Sequence, residues 1–237
     1  MSTYTSQPDE TAANDTWLGS SNTVNHGTDT HLYVGEDNTQ SPNYWRTLIK
    51  FDLSSIPAGS TVLSATLSLW VEGDWSSNAR TFRAYRQKRA WTESGATWTK
   101  YDGINNWSTA GGFSATDCEA TDIGSCSFLA SESAGTEKQF SLTPDAVTEW
   151  IRGTFENNGV ILKADTESND GYQFYSSSSA SSSYRPKLVI EYTEGSVFSL
   201  ANPIVGLFES WKRRAEICRE LVRKGAIPLK RRELLPI

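Results

Sequence analysis

Apolar and polar residues alternate in short runs along most of the chain. The clearest run is VLSATLSLWVEG (62–73), where Val62, Ser64, Thr66 and Ser68 interleave with Leu63, Ala65, Leu67 and Leu69. A period of two sends one set inward and the other toward solvent, the signature of a half-buried strand. RTFRAYRQKR (80–89) repeats the pattern, with Phe82, Ala84 and Arg86 on one side and charges opposite. HLYVG (31–35), RTLIKFDL (46–53), KQFSLT (138–143), GVILKADT (159–166), GYQFYSS (171–177) and RPKLVIEYT (185–193) predict further strands, separated by turn segments such as SSIPAGS. The serine run 176–183 reads as a polar loop, because a strong strand follows it.

A helical period appears in two places. PDAVTEWIRG (144–153) predicts a short helix: Pro144 suits the first helical position, Val147, Trp150 and Ile151 share a face, and Gly153 can stop the turn. Near the C-terminus, Asn202-Pro203 reads as a cap followed by proline at the first position. Ile204, Leu207, Phe208, Trp211, Ala215, Cys218 and Val222 then recur at three- and four-residue spacing as far as Gly225. That predicts a helix roughly 33 Å long with an apolar stripe, marginal unless the stripe is buried on something. Pro228 and Pro236 keep the remainder extended.

Composition sharpens this division. The chain has 237 residues with nine each of Trp, Tyr and Phe, which suits a β-rich body. Residues 1–194 carry 13 Lys+Arg against 24 Asp+Glu, whereas 195–237 carry 9 against 4. The expected organisation is therefore an acidic all-β domain over 1–194, an antiparallel jelly-roll β-sandwich, followed by a basic helical tail over 195–237. No stretch approaches the roughly 18 apolar residues of a membrane span. The start MSTYTSQPDET lacks the basic and apolar regions of an export signal, which predicts synthesis and retention in the cytosol. Three cysteines make no disulfide framework. Cys118 and Cys126 fall in one polar segment, CEATDIGSC, read as a loop in which they could pair.

Candidate chemistry centres on aromatics. Trp91, Trp98, Tyr101 and Trp107 crowd a glycine-containing segment, and Trp75 sits in a polar hairpin loop, EGDWSSN. Aromatic faces stack on the C–H faces of sugars while neighbouring polar groups bond the hydroxyls, so these five are the glycan-binding candidates. Packing in the core is the competing use of the same side chains. Glu93 and Asp102 flank the Trp-rich segment, but no carboxylate pair stands out as the two groups a glycosidase needs. A structural Ca²⁺ ion, with Asp9, Glu10, Asp165 and Asp170 as candidate ligands, is chemically feasible although no EF-hand loop is present. His26 and His31 lack metal-site context. No nucleophile elbow, phosphate-binding loop or dinucleotide fingerprint occurs. The acidic body disfavours nucleic acid as a partner, and no cofactor is implied.

Six collinear segments, RTLIKFDLSSIP (46–57), VLSATLSLWVE (62–72), RAWTESGATWTKYDG (89–103), FSLTPDAVTEWIRG (140–153), NNGVILKADTES (157–168) and SSYRPKLVIEY (182–192), resemble the DNRLRE domain family, which is also classed among carbohydrate-binding modules. The resemblance covers about residues 1–193 and leaves the tail unmatched. It implies a β-sandwich of extracellular, polysaccharide-associated, adhesin-like or phage structural proteins, and binding rather than cleavage.

Together these readings lead to one expectation. The chain is a non-enzymatic structural virion protein of a tailed phage, assembled in the host cytoplasm and displaying its sandwich as a decoration or adhesion module on capsid, neck or tail. Ile204, Leu207, Phe208, Trp211, Cys218 and Val222 are expected to bury on another virion protein, with Arg213, Arg214, Arg231 and Arg232 pairing to its carboxylates. Self-association through the helix is permitted. The alternative is a soluble or secreted carbohydrate-binding module of a polysaccharide-associated system, acting outside the cell.

Overall fold

The computed structural model describes residues 1–21, 23–36, 43–76, 78–168 and 170–195. Met1–Gly195 make up one compact unit. The terminal helix predicted from Asn202 onward lies outside the described residues.

The eight alternating segments become strands and three further segments join them, every one paired antiparallel. They are β1 (Ser2–Ser6), β2 (Asn14–Gly19), β3 (His31–Glu36), β4 (Tyr44–Lys50), β5 (Thr61–Asp74), β6 (Arg80–Gln87), β7 (Cys118–Phe128), β8 (Glu137–Leu142), β9 (Val160–Ala164), β10 (Gly171–Tyr175) and β11 (Lys187–Thr193). Among the described residues one α-helix, α1 (Pro144–Arg152), sits between β8 and β9, and a single 3-10 turn (Ser182–Tyr184) precedes β11. The strands run in the order β1-β11-β5-β10-β3-β4-β9-β6-β7, with β2 added beside β4 and β8 beside β5. Strand β5 makes this a curled sheet. Its first part lies between β11 and β8, and its last residues turn away to pair with β10.

Inside the curl is a core drawn from nearly every strand, including Leu32, Val34, Leu67, Leu69, Val71, Phe140, Phe174 and Ile190. Phe82, Phe128 and Tyr172 meet edge to face or tilted at its centre, with centroids 4.6–5.4 Å apart. Arg86 shares the inward phase of Phe82 and Ala84, as its spacing predicts. Its charge is accommodated by Glu119 and Glu149, and its guanidinium lies 3.8 Å from the Phe155 ring.

Helix α1 forms where predicted. Pro144 occupies the start, and Gly153 takes the left-handed conformation (φ 70°) that ends it. Thr148 accepts the Val62 N–H at 3.1 Å, tying the helix to β5.

Three local expectations need correction. The β5 alternation slips at its start, because Glu191 pairs with Ser64 and Tyr192 with Val62, leaving Leu63 as a bulge. The bulge reverses the phase, so Leu63 is 46% exposed and Val62 only 5%. The CEATDIGSC segment is not a loop but most of β7, whose period is masked by polar residues; only Cys118, Ile123 and Phe128 are buried along it. Cys118 and Cys126 therefore lie eight residues apart on one strand, about 26 Å in extended chain, too far for a disulfide, and both are free thiols. Finally, β1 and β2 arise from the polar segments STYTS and NDTWLG, which carry little apolar alternation.

Between β6 and β7 the chain makes a long excursion over the outer side of β4 and β9. It encloses a second, smaller core of Leu18, Leu48, Trp91, Ala96, Trp107, Cys118 and Ile161.

Candidate functional site

Aromatic side chains from separate elements converge beside β3. Leu32 and Val34 face the main core, which sends His31 and Tyr33 to the other side of that strand. Tyr33 lies 4.8 Å from Trp17 of β2, 5.0 Å from Trp45 of β4 and 5.8 Å from Trp75, which follows β5. Trp75 meets Trp45 edge to face at 5.9 Å, and His26 stacks on Trp17 at 3.6 Å. Trp17 and Trp45 are buried and form the base; Trp75, at 40% exposure, and half-buried Tyr33 form the accessible surface. Gly171 on β10 makes room for this base, since a Cβ there would stand 2.7 Å from the Trp45 ring.

Polar groups border the rings. Asp29 accepts the Trp17 indole N–H at 3.0 Å and lies 2.8 Å from His26 Nδ1. Glu72 pairs with His31 and accepts a hydrogen bond from Gln173 at 3.1 Å. Burial, with the charges of Glu72 and Asp29 adding to it, pushes the Tyr33 phenol above its ordinary pKa, so it remains a neutral hydroxyl at physiological pH.

The turn that carries Trp75 is held from several directions. The Trp75 N–H donates to the Gly171 carbonyl at 2.9 Å, and the Ser76 N–H donates to Asp74 at 2.6 Å. Asp170, fully buried, accepts from the Ser76 hydroxyl at 3.1 Å and the Asn78 N–H at 3.0 Å, and pairs with Arg80 at 2.5 Å. An exposed tryptophan on a pinned turn is ordered before any ligand arrives, which lowers the entropy cost of binding.

The other predicted glycan residues are placed differently. Trp91 and Trp107 are each 4% exposed and belong to the second core. Their indole N–H groups donate at 2.9 Å to the carbonyls of Asn158 and Thr97. Trp98 lies under Arg46, whose guanidinium sits 4.8 Å from the ring and forms a two-pronged pair with Glu167. Tyr101 packs 5.6 Å from Trp107 and beneath Arg89. These four stabilise the excursion, with Trp98 and Tyr101 packed as partly buried members of its core. Sequence reasoning missed Trp17, Tyr33 and Trp45, which only strand pairing brings together; the one local hint was Tyr33 between the apolar residues Leu32 and Val34.

The proposed calcium ligands are not brought together. Asp9 bonds Thr11, Asp165 bonds the Thr166 N–H, and Asp170 is neutralised by Arg80, while Glu10 is an exposed side chain. Among the described residues no group of three or more His, Cys, Asp or Glu is placed to hold a metal ion. The anchoring residues Ile204, Leu207, Phe208, Trp211, Arg213, Arg214, Cys218, Val222, Arg231 and Arg232 lie outside the described residues.

Comparison with known proteins revises the expected family. The curated proteins provide no match. The family model that matches is not DNRLRE but the disaggregatase related repeat domain, over residues 15–190. The segments quoted for DNRLRE are alternating strands, a Pro-initiated helix and a Trp-bearing loop, features that antiparallel β-domains share for physical reasons. With about three quarters of its length matched, the chain belongs to the disaggregatase related repeat domain family.

Proposed function

We propose that this domain is a non-catalytic adhesion module that binds carbohydrate on the aromatic face formed by Trp75 and Tyr33 over Trp45 and Trp17. The observation that carries the reading is the pinned, exposed Trp75, tilted against Tyr33 and bordered by Glu72, Gln173, His31 and Asp29. Flat apolar faces suit the C–H surface of a pyranose ring, and the bordering groups suit its hydroxyls. Binding without cleavage is supported by the engagement of the carboxylates bordering the face, Asp29 with Trp17 and His26 and Glu72 with His31 and Gln173. The carboxylates flanking the Trp-rich excursion are likewise engaged. Asp102 is occupied with the backbone N–H groups of Ile104 and Asn105, and Glu93 with that of Asp15. We take the curled sheet to be a jelly-roll sandwich whose two layers are joined through β5, a reading supported by its pairing on both sides of the curl.

A screen of the purified full-length protein against immobilised polysaccharides tests the reading. The wild type is expected to bind at least one, and Trp75→Ala to weaken that binding roughly thirtyfold, the effect of losing one central aromatic anchor. Failure to bind any polysaccharide, or unchanged binding by Trp75→Ala, would show that the aromatic face has another purpose.

A further inference from the structure

The aromatic face continues past Tyr33 along the outer side of the sheet. Leu69 and Val71 of β5, Tyr172 and Phe174 of β10, and Leu32 of β3 belong to the main core. Their alternating neighbours Trp70, Glu72, Gln173, Tyr175, His31 and Tyr33 therefore lie on the opposite side. Strand register aligns them. Gln173 stands between Gly73 and Tyr33, and Tyr175 stands beside His31, close enough for side chains to meet across the strands. A Cβ on Gly73 would be 3.5 Å from the Trp75 ring and 3.1 Å from Gln173 Oε1, so ring and amide flank the same point of the sheet.

A second tyrosine platform lies beyond them. Tyr184, from the 3-10 turn before β11, is 5.0 Å from Tyr175 and 6.5 Å from Trp70, tilted 31° and 35° to them. Tyr175 and Tyr184 are half-buried, while Trp70 is 8% exposed with the Lys187 ammonium 4.8 Å from its ring. The Trp75 end is built the same way: Tyr33 is tilted 31° against Trp75, and buried Trp45 backs both. Glu72 links the two ends. It pairs with His31 and accepts from Gln173. Burial first, and the Glu72 charge after it, raise the phenol pKa of both Tyr33 and Tyr175. The hydroxyls of Tyr4 and Tyr172 are committed to backbone carbonyls. Those of Tyr33, Tyr175 and Tyr184 have no protein partner among the described residues, which leaves three for a ligand.

We infer that Tyr175 and Tyr184 form a second sugar subsite, so that the face takes a linear polysaccharide chain lying along the outer side of β5 and β10. The inference rests on the carbohydrate reading of the Trp75 face and extends it. Trp70 and Trp75, at the two ends, are at most about 16 Å apart along β5 and its turn. A single sugar ring needs only one aromatic platform. Two platforms with Glu72, His31 and Gln173 between them suit a ligand that repeats its C–H faces and hydroxyls at intervals.

The test is calorimetric titration of the full-length protein with cello-, laminari-, xylo- and chito-oligosaccharides of two and six units. At least one series is expected to bind, with the hexamer about tenfold tighter than the dimer, the worth of one added ring stack. Tyr175→Ala and Tyr184→Ala are expected to remove that gain and leave dimer affinity within about twofold of wild type, whereas Trp75→Ala weakens both lengths. Retained dimer binding shows that the tyrosine variants are folded. A hexamer no tighter than the dimer, or one bound as tightly by both tyrosine variants as by wild type, would overturn the second subsite while the Trp75 reading stands. Equal losses of dimer and hexamer affinity in the tyrosine variants would assign these rings to the fold and also overturn it. No binding by any series would overturn both readings.

Discussion

The molecule holds two tryptophan clusters that teach opposite lessons. One is contiguous in sequence: Trp91, Trp98, Tyr101 and Trp107 fall within a single excursion and fold against it, closing the second core with their N–H groups or faces engaged by the protein itself. The other is scattered: Trp17, Tyr33, Trp45 and Trp75 come from β2, β3, β4 and the turn after β5, and only strand pairing assembles them. Local density of aromatics reflects what a strand-poor segment needs in order to hold its own shape, since such a segment lacks a ladder and must bury rings instead. A presented surface needs a rigid support, and the sheet provides one.

The comparison breaks most sharply under truncation of a buried ring. Trp107→Ala removes a ring in contact with Tyr101 and Gly112 together with the N–H that ties it to Thr97. Deleting a buried tryptophan costs about 3–5 kcal/mol, so the denaturation midpoint in urea should fall strongly, with loss of every activity the fold supports. A Trp107→Ala protein as stable as the wild type would mean that the excursion is decoration on the fold and not part of it.

The second prediction concerns the seam where that excursion meets the sheet. Asp15 of β2 is 2% exposed; its carboxylate accepts from the Ser177 N–H at 2.9 Å and hydroxyl at 3.0 Å, and its own N–H donates to Glu93 at 3.0 Å. Burial, with Glu93 nearby adding to it, raises the Asp15 pKa from 3.8 to about 7. Glu93 is raised as well, chiefly by burial, with Glu10 contributing and Lys50 opposing. A carboxyl whose pKa is higher folded than unfolded binds more protons in the folded state between those two values. Its contribution to stability is therefore fully present below about pH 4 and is lost as pH rises to about 7. The size is on the order of 4 kcal/mol for a shift of this extent. Asp9, Asp52 and Asp102 are shifted the opposite way by local hydrogen bonds and lose stability only on stronger acidification. Urea midpoints should thus be higher at pH 5 than at pH 8, and Asp15→Asn should remove most of that difference by raising the pH 8 value.

Much of this architecture was legible beforehand. Eight strand segments and α1 followed from period and cap residues, because half-buried strands must alternate and Pro144 and Gly153 bracket the helix. Strand β7 was not legible, since bulges opposite Ala84, Tyr85 and Gln87 break its period and polar residues fill its outer face. The candidate site was legible at Trp75 alone, where a turn rich in Asp and Ser announces exposure. Its partners depend on registers such as Gly35 with Trp45 and Trp17 with Thr47, which nothing local encodes. The family assignment failed for a related reason: alternation reports the class of fold, and many families share it.

The smallest effects belong to the presented cluster, and there stability and binding should separate. Trp75→Ala removes a ring that is 40% exposed and whose backbone remains fixed by Gly171, so the cost in stability is expected to be about 1 kcal/mol or less. Tyr33→Phe retains the ring that touches Trp17, Trp45 and Trp75 and removes only a neutral hydroxyl. Its stability should stay within about 0.5 kcal/mol of wild type. On a glycan that binds the aromatic face, the loss from that one hydrogen-bonding group should be about two- to tenfold. Calorimetric melting alongside a binding isotherm for each variant checks both quantities. If Tyr33→Phe melts several degrees lower, the hydroxyl serves the fold, and the face beside β3 is a structural cluster like the one beneath the excursion.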